Sequence, residues 1–500
     1  MPGLRVLVAA SEVAGFAKTG GLADVAAALP RALARLGNQV AVAMPFYASI
    51  RRSKLPVERT NVALPVPMGH KVLACRLYRS QLPNTDIPVY LIEHEPYYDR
   101  DNPKEGRGLY QHNWNGSRVD YADNAERFVF FSRAVTELVP HLGFSLDVIH
   151  ANDWQTGLVP VFLSEIYRTQ PGYQKIRSVF TIHNIAYQGI FGRQVMNITG
   201  LPGWLFNPSQ LEFNGFMNLL KGGIVFADAV NTVSPTYARE IQTGEFGYGL
   251  EGLLASIHSK LSGIVNGCDY IEWDPSSDEL IDAKYTSKTL SEKKPLCKAD
   301  LQRRFHLPED PDAPVLGVVA RFVWQKGIDL IVSAAPGFID LGCQLVMLGE
   351  GDQEYQNQVQ ALRDRYPDRV GIYLGFENDL AHAIEAGADL FLMPSRYEPC
   401  GLNQMYSLRY GTPPVVRNTG GLADTVVNTT LENLADRRAT GFSFYDKTAS
   451  ALYETVKWAL TLYRDRQTDF QQIIQTGMAQ DWSWERSAAA YETLYRKVMG

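Results

Sequence analysis

Five cysteines in 500 residues, at positions 75, 268, 297, 343 and 400 and free of Cys-x-x-Cys spacing, leave nothing from which to build a disulfide framework or a zinc site. A reducing compartment is expected. No apolar run approaches the ~18 residues that suggest a membrane span, so no membrane partner is expected. A net charge of −6 gives no electrostatic reason to expect nucleic acid or an anionic membrane surface. The opening Met1-Pro-Gly-Leu-Arg-Val-Leu-Val-Ala-Ala10 runs into a strand pattern without a basic segment, apolar core and cleavage site. No secretory leader is therefore expected. The glycosylation triplets at Asn115, Asn197 and Asn428 are accordingly read as chance. Short-period repeats are missing too, which excludes a solenoid.

What is present is an ordinary globular balance, 45% hydrophobic and 20% charged. The length exceeds what one core usually serves, so two domains of about 200–250 residues are expected. Apolar runs of about five residues alternate with helical patterns: Leu4–Ala10, Gln39–Met44, Asp147–Trp154 and Arg177–Asn184, then Val315–Ala320, Gln344–Leu348, Val370–Leu374 and 389–393. That alternation predicts parallel sheets covered on both faces, an α/β fold. The boundary is placed at 260, with domains over 1–260 and 261–480 and a terminal helix over 481–500 packing back on the first.

The stretch from Asp389 to Asp424 concentrates the chemistry. Asp389-Leu-Phe-Leu-Met-Pro394 reads as a buried strand, and Ser395-Arg-Tyr-Glu-Pro-Cys-Gly-Leu402 puts Glu398 at its carboxyl end, where open α/β sheets bind ligands. Thr419-Gly-Gly-Leu-Ala-Asp424 repeats Thr19-Gly-Gly-Leu-Ala-Asp24. Both copies are read as glycine-opened helix starts offering N–H groups to an anion. Lys18 beside Gly20 and Gly21 strengthens the first copy, although the loop is neither a Walker loop nor GxGxxG. Arg321 and Lys326, five residues apart after a strand, suit a diphosphate clamp. Asp153, His183 and Asn266 also follow strands.

Each has a bland alternative. The Thr-Gly-Gly turns can be backbone geometry alone, Lys326 can snorkel, Glu398 can cap the helix near Gly401, and His183 can be a satisfied core histidine. Cys400, near a helix start, has no paired base for nucleophilic work. Its oxidation is nonetheless expected to block the site.

Lys18-Thr-Gly-Gly-Leu-Ala-Asp-Val25, His150-Ala-Asn-Asp-Trp154, Phe180-Thr-Ile-His-Asn-Ile-Ala-Tyr-Gln-Gly189 and Asn231-Thr-Val-Ser-Pro-Thr-Tyr-Ala-Arg-Glu240 occur in this order. Tyr248-Gly-Leu-Glu-Gly252, Trp324-Gln-Lys-Gly327, Glu398-Pro-Cys-Gly-Leu402 and Thr419-Gly-Gly-Leu-Ala-Asp424 follow. Together they resemble the bacterial glycogen synthases and plant starch synthases over nearly the whole chain. The resemblance implies a GT-B fold, two Rossmann-like domains with parallel sheets facing across a deep cleft. It implies glucose transfer from ADP-glucose to the non-reducing end of an α-1,4-glucan, with retention and with neither metal nor cofactor.

By that pattern Lys18, Gly21, Arg321 and Lys326 meet the donor phosphates, and Glu398 holds the glucose hydroxyls beside the backbone of Cys400, Gly401 and Leu402. Asp153, His183 and Asn266 line the sugar pocket, Thr419 and Gly420 contact the donor, and Phe376 lies by the adenine. Departures are mild: Ala320 and Phe322 flank Arg321, Gly15 stands where proline is common, Phe376 replaces a frequent tyrosine and Asn403 a frequent threonine. Expected surroundings are a bacterial cytoplasm, or a plastid stroma after transit-peptide removal. A granule-bound type making amylose is one alternative. A retaining hydrolase pairing Glu398 with Asp153 or Asp24 needs two carboxylates ~5 Å apart. A phosphorylase would carry pyridoxal phosphate on a lysine, and a scaffold would have lost the chemistry.

Overall fold

The structure, a computed structural model, describes residues 2–114 and 117–500, so Asn115 and Gly116 of the first glycosylation triplet lie outside the described residues. Two compact units emerge. One comprises the chain up to Val233, Ala238–Gly267 and Trp484–Gly500, and the other Ser234–Tyr237 and Cys268–Ser483.

The first unit is built on a nine-stranded sheet. Seven strands are parallel, in the spatial order Leu261–Gly263, Ala229–Thr232, Arg177–Ile182, Val148–Asn152, Arg5–Ala9, Gln39–Pro45, Pro88–Glu93. Val6 lies opposite Val40 on one side and Val148 on the other, all three buried. Two antiparallel strands, Lys71–Gln81 and Glu58–Met68, extend the edge. The β-rich reading of 60–93 did not anticipate this change of direction. The outer strand carries an irregularity between Arg59 and Ala63 and two prolines, Pro65 and Pro67, which discourage further pairing.

Because Leu261–Gly263 pairs with Ala229–Thr232, the division falls after Gly267 rather than at 260. The helix Trp484–Met499 belongs to this unit, its Trp484, Tyr491 and Tyr495 buried with Val6, Val8, Leu29 and Leu33. Tyr495 Oη reaches His150 Nδ1 at 2.8 Å, and Asn231 Nδ2 donates to Tyr491 Oη at 3.0 Å.

The second unit has six parallel strands in the order Val370–Leu374, Gln344–Gly349, Val315–Val319, Leu390–Met393, Pro414–Arg417, Phe442–Phe444. In chain order that is 3-2-1-4-5-6, the doubly wound arrangement, with its switch point between Val315–Val319 and Leu390–Met393. The parallel strands of the first unit reverse in the same way between Arg5–Ala9 and Val148–Asn152. Each unit thus has one crevice, at the carboxyl ends of its first and fourth parallel strands, where ligands of such sheets bind.

Candidate active site

In the second unit, Arg321 follows the first strand and Glu398 the fourth, one on each side of the switch point. Lys326 sits on the short helix Trp324–Lys326, and its Nζ lies 2.5 Å from Glu398 Oε2. Ser395 Oγ donates to the same oxygen at 2.9 Å. Oε1 has no protein partner among the described residues, although Glu398 is only 6% exposed. A buried carboxylate with one satisfied and one open oxygen is placed for a ligand's hydroxyls. The capping alternative fails: the helix begins at Asn403, and no side chain caps it.

Arg321 is exposed and forms no ion pair among the described residues, so its charge remains available. Arg396 is committed elsewhere. It binds Asp329 through two contacts of 2.6 and 2.7 Å, donates to the carbonyl of Trp324 at 2.8 Å and stacks on the Trp324 ring, which braces the turn carrying Lys326.

The backbone of Glu398–Gly401 is held by the second Thr-Gly-Gly copy. A Cβ on Gly420 would stand 1.9 Å from the Glu398 carbonyl oxygen, and one on Gly421 2.1 Å from that of Cys400. Gly421 N–H donates to the Glu398 carbonyl at 3.1 Å. The helix here is only six residues, Gly420–Thr425. Its glycines therefore serve close packing, and the Gly421 amide that sequence reading offered to an anion is occupied. Thr419 is fully buried. Gly401 takes φ +75, and Gln404 Nε2 reaches the carbonyls of Cys400 and Gly401 at 3.1 and 3.2 Å before Leu402 leads into the helix. The Cys400 thiol is buried. Phe376, by contrast, is 71% exposed just past Val370–Leu374.

The first copy, in the first unit, is built differently. Gly20 and Gly21 have nothing within 4 Å of an added Cβ, and Gly20 is extended at φ −158. No local packing needs these glycines, and the space beside them is open. They start a fifteen-residue helix, Gly21–Arg35. The amides of Gly21 and Leu22 have no acceptor among the described residues. Lys18, half exposed, pairs with Asp24 at 2.7 Å.

Beneath the turn lies a residue the sequence reading missed. Glu12, 4% exposed, accepts from Thr19 N–H and, at 2.6 Å, from Thr19 Oγ1. It also accepts from Gly20 N–H at 3.3 Å and Tyr110 Oη at 2.7 Å. An acidic residue two positions after a strand-end alanine pair was visible in the sequence. Its partner Tyr110, in the polar loop 94–120, was not.

Asp153 follows the fourth parallel strand with φ +56 and ψ 179, backbone angles rare outside glycine, which marks a constrained position. It accepts the His183 amide at 2.7 Å. Burial, with a smaller contribution from the Glu12 charge, raises its pKa to about 7. Burial pushes the His183 imidazole down to about 3, so it is neutral at physiological pH. Asn152 Nδ2 donates to the carbonyls of Ala9 and His150, which leaves its Oδ1 to accept from His183 Nε2 at 2.9 Å. The proton therefore sits on Nε2, and Nδ1 is an acceptor. Asn266 is 6% exposed, and its Oδ1 has no partner among the described residues, an arrangement that costs ~1–3 kcal/mol unless a ligand donates to it. Lys18, Asp153, His183 and Asn266 thus lie in one unit, and Arg321, Lys326, Phe376, Glu398 and Thr419 in the other.

Residues 5–256 match the family model for the starch synthase catalytic domain, and 301–475 that for glycosyl transferases group 1. The chain is 45% identical to glycogen synthase 1 of Geobacter metallireducens, over 100% of this chain and 97% of that one. It is 47% identical to glycogen synthase of Anaeromyxobacter dehalogenans, over 99% and 100%. Among solved structures, it is similar to the catalytic domain of starch synthase IV from Arabidopsis thaliana bound to ADP and acarbose, with a TM-score of 0.88 at 32% identity, covering 99% of each chain. A sucrose-phosphate synthase from Thermosynechococcus elongatus, 18% identical with a TM-score of 0.57, shares the fold. The chain belongs to the glycogen and starch synthase family: it is a GT-B glycosyltransferase that elongates glucan by glucosyl transfer from a nucleotide-sugar donor.

Proposed function

We propose that the donor is ADP-glucose and that glucose passes, with retention, to the non-reducing end of an α-1,4-glucan. The observation that carries this is the Lys326–Glu398 pair at the switch point, with Arg321 following the first strand there in no ion pair among the described residues. Breaking the sugar–phosphate bond builds negative charge on the diphosphate and positive charge on the ring. Arg321 and Lys326 meet the phosphate charge, and Lys18 with the open amide of Gly21 does the same from the first unit. Glu398 Oε1 accepts glucose hydroxyls. Cys400, Gly401 and Leu402 contribute backbone, Thr419 and Gly420 contact the donor, and Phe376 offers its exposed ring to adenine.

Asp153, His183 Nδ1 and Asn266 Oδ1 accept sugar hydroxyls. The starch synthase IV neighbour, bound to ADP and acarbose, supports an adenine nucleotide and an α-glucan-like ligand. No metal or cofactor is assigned, since cationic side chains answer the leaving-group charge. Turnover is expected to persist in excess EDTA, and a tenfold loss would assign a metal. The bacterial relatives support a cytoplasmic setting.

Parallel assays with glycogen primer and either ADP-glucose or UDP-glucose test the reading. Glucan growth with ADP-glucose alone is the expected result. Growth with UDP-glucose alone would overturn the donor assignment, and glucose release without nucleotide would turn the reading to hydrolysis.

A further inference from the structure

We infer that Tyr495 and His150 are positioning residues for glucosyl transfer, fixing the strand ends that carry Asp153 and His183; the inference rests on the sugar-pocket role given to those two. The helix Trp484–Met499 packs on the first sheet among apolar side chains that include Val6, Val8, Leu29 and Val179. A chain of polar groups runs through that cluster. Tyr495 Oη lies 2.8 Å from His150 Nδ1, and His150 Nε2 lies 2.6 Å from Thr181 Oγ1. A second tie from the same helix ends on the same hydroxyl: Asn231 Nδ2 donates to Tyr491 Oη at 3.0 Å and to Thr181 Oγ1 at 3.3 Å. All five side chains are fully buried.

Packing alone does not call for this chain. Taking hydroxyl, amide and imidazole groups out of water costs free energy that their mutual hydrogen bonds only offset, and apolar side chains of the same shape would fill the contact without that cost. A satisfied buried network does something else: it holds the residues that it joins in one arrangement.

What it joins is the site. Thr181 lies opposite Asn152 in the parallel strand pair, and its carbonyl accepts the Asp153 amide at 2.9 Å. Two residues further on, the His183 amide donates to Asp153 Oδ1 at 2.7 Å. The His150 carbonyl accepts from Asn152 Nδ2 at 3.2 Å, and Asn152 Oδ1 in turn holds His183 Nε2 at 2.9 Å. His150 thus reaches His183 by two routes, its ring through Thr181 and its carbonyl through Asn152. Burial, with a smaller contribution from His183, pushes the His150 imidazole down to about 3, so the ring is neutral. A neutral ring that accepts on one side donates on the other, so the Tyr495 contact fixes which way the Thr181 contact runs. Asp153, at φ +56 and ψ 179, needs such support, because rare backbone angles persist only where the surroundings over-determine them.

The test uses Tyr495→Phe, which keeps the ring and removes the hydroxyl, and Thr181→Val, which does the same on the other side of the imidazole. Leu494→Ala, in the same helix and the same apolar cluster, is the packing control. Rates at saturating glycogen, thermal melts and the imidazole nitrogen resonances of histidine-labelled protein are compared, with His183 assigned by its loss in His183→Gln. Tyr495→Phe and Thr181→Val are each expected to lower kcat about tenfold and to shift the His183 resonances, with KM for ADP-glucose within about twofold of the parent. Leu494→Ala is expected to lower Tm and, below its melt, to keep kcat within about twofold. Parental kcat or unmoved His183 resonances in either folded variant would overturn the inference. So would an equal fall in kcat for Leu494→Ala, which would make the effect one of packing. If Tyr495→Phe fails to fold, Thr181→Val decides by the same criteria. If the parent fails to turn over ADP-glucose, the donor reading falls, and the His183 resonances alone decide this one.

Discussion

At the scale of single residues, the Lys326–Glu398 pair should be indispensable in different ways for its two members. Lys326→Ala removes a cation from the developing phosphate charge, and Glu398→Ala removes the acceptor for glucose hydroxyls. Each is expected to lower kcat by about 10²–10³ while circular dichroism stays native. Near-parental rates would reassign the residue. Asp153 supplies a pH signature. Its carboxyl titrates near 7 in the fold and near 3.9 when unfolded, so the unfolded chain releases a proton that the native chain keeps. Its contribution to stability is therefore complete below about pH 4 and lost as pH rises through 7. The acceptor dependence of the rate should carry an inflection near pH 7 that Asp153→Asn abolishes; an unchanged profile would remove Asp153 from the site. Glu12, which ties Thr19 and Gly20 to Tyr110, was hidden from sequence reading because three of its four hydrogen bonds are to backbone or to a residue of its own turn, and the fourth comes from a loop almost a hundred residues away.

At the scale of elements, one hexapeptide performs two tasks. The second Thr-Gly-Gly copy is wedged against the carbonyls of Glu398 and Cys400, while the first faces open space. Gly420→Ala should therefore destabilise by at least about 2 kcal/mol, given its left-handed φ of +46 and the carbonyl in its path. Gly21→Ala should leave Tm unchanged or slightly higher yet raise the KM for ADP-glucose about tenfold, by filling the approach to the helix start. Thermal melts beside donor titrations separate the two; a large fall in Tm for Gly21→Ala would make that glycine structural as well. The repeat itself was legible, as were the strands that deliver Glu398, Arg321 and Asp153, because period and punctuation are local. The difference between the copies was not, since it depends on which backbone each one meets.

At the scale of the whole chain, the last helix belongs in the unit formed by the first half of the sequence. Trp484, Tyr491 and Tyr495 are buried against the sheet and the helix Gly21–Arg35, each side chain worth roughly 1.5–3 kcal/mol. Deleting residues 484–500 should expose that cluster and leave His150 Nδ1 and Asn231 Nδ2 without their tyrosine partners. The expected result is loss of cooperative melting of the first unit with the second unit's melt retained. A truncated chain that melts like the parent would show the helix to be dispensable.

The sequence by itself determined the alternation of strand and helix, hence two α/β units built on parallel strands, and the placing of chemical groups at strand ends. Apolar period, glycine punctuation and strand length act over a few residues and leave their mark in order along the chain. Tertiary structure alone decided the switch-point order of each sheet, the boundary after Gly267 and the antiparallel edge at 58–81. It also decided the partners of buried polar atoms: Lys326 for Glu398, Asn152 for His183, and none among the described residues for Asn266 Oδ1. Those outcomes depend on which distant segments share a dry interior, where an unpaired group costs ~1–3 kcal/mol, and no local pattern encodes that neighbour.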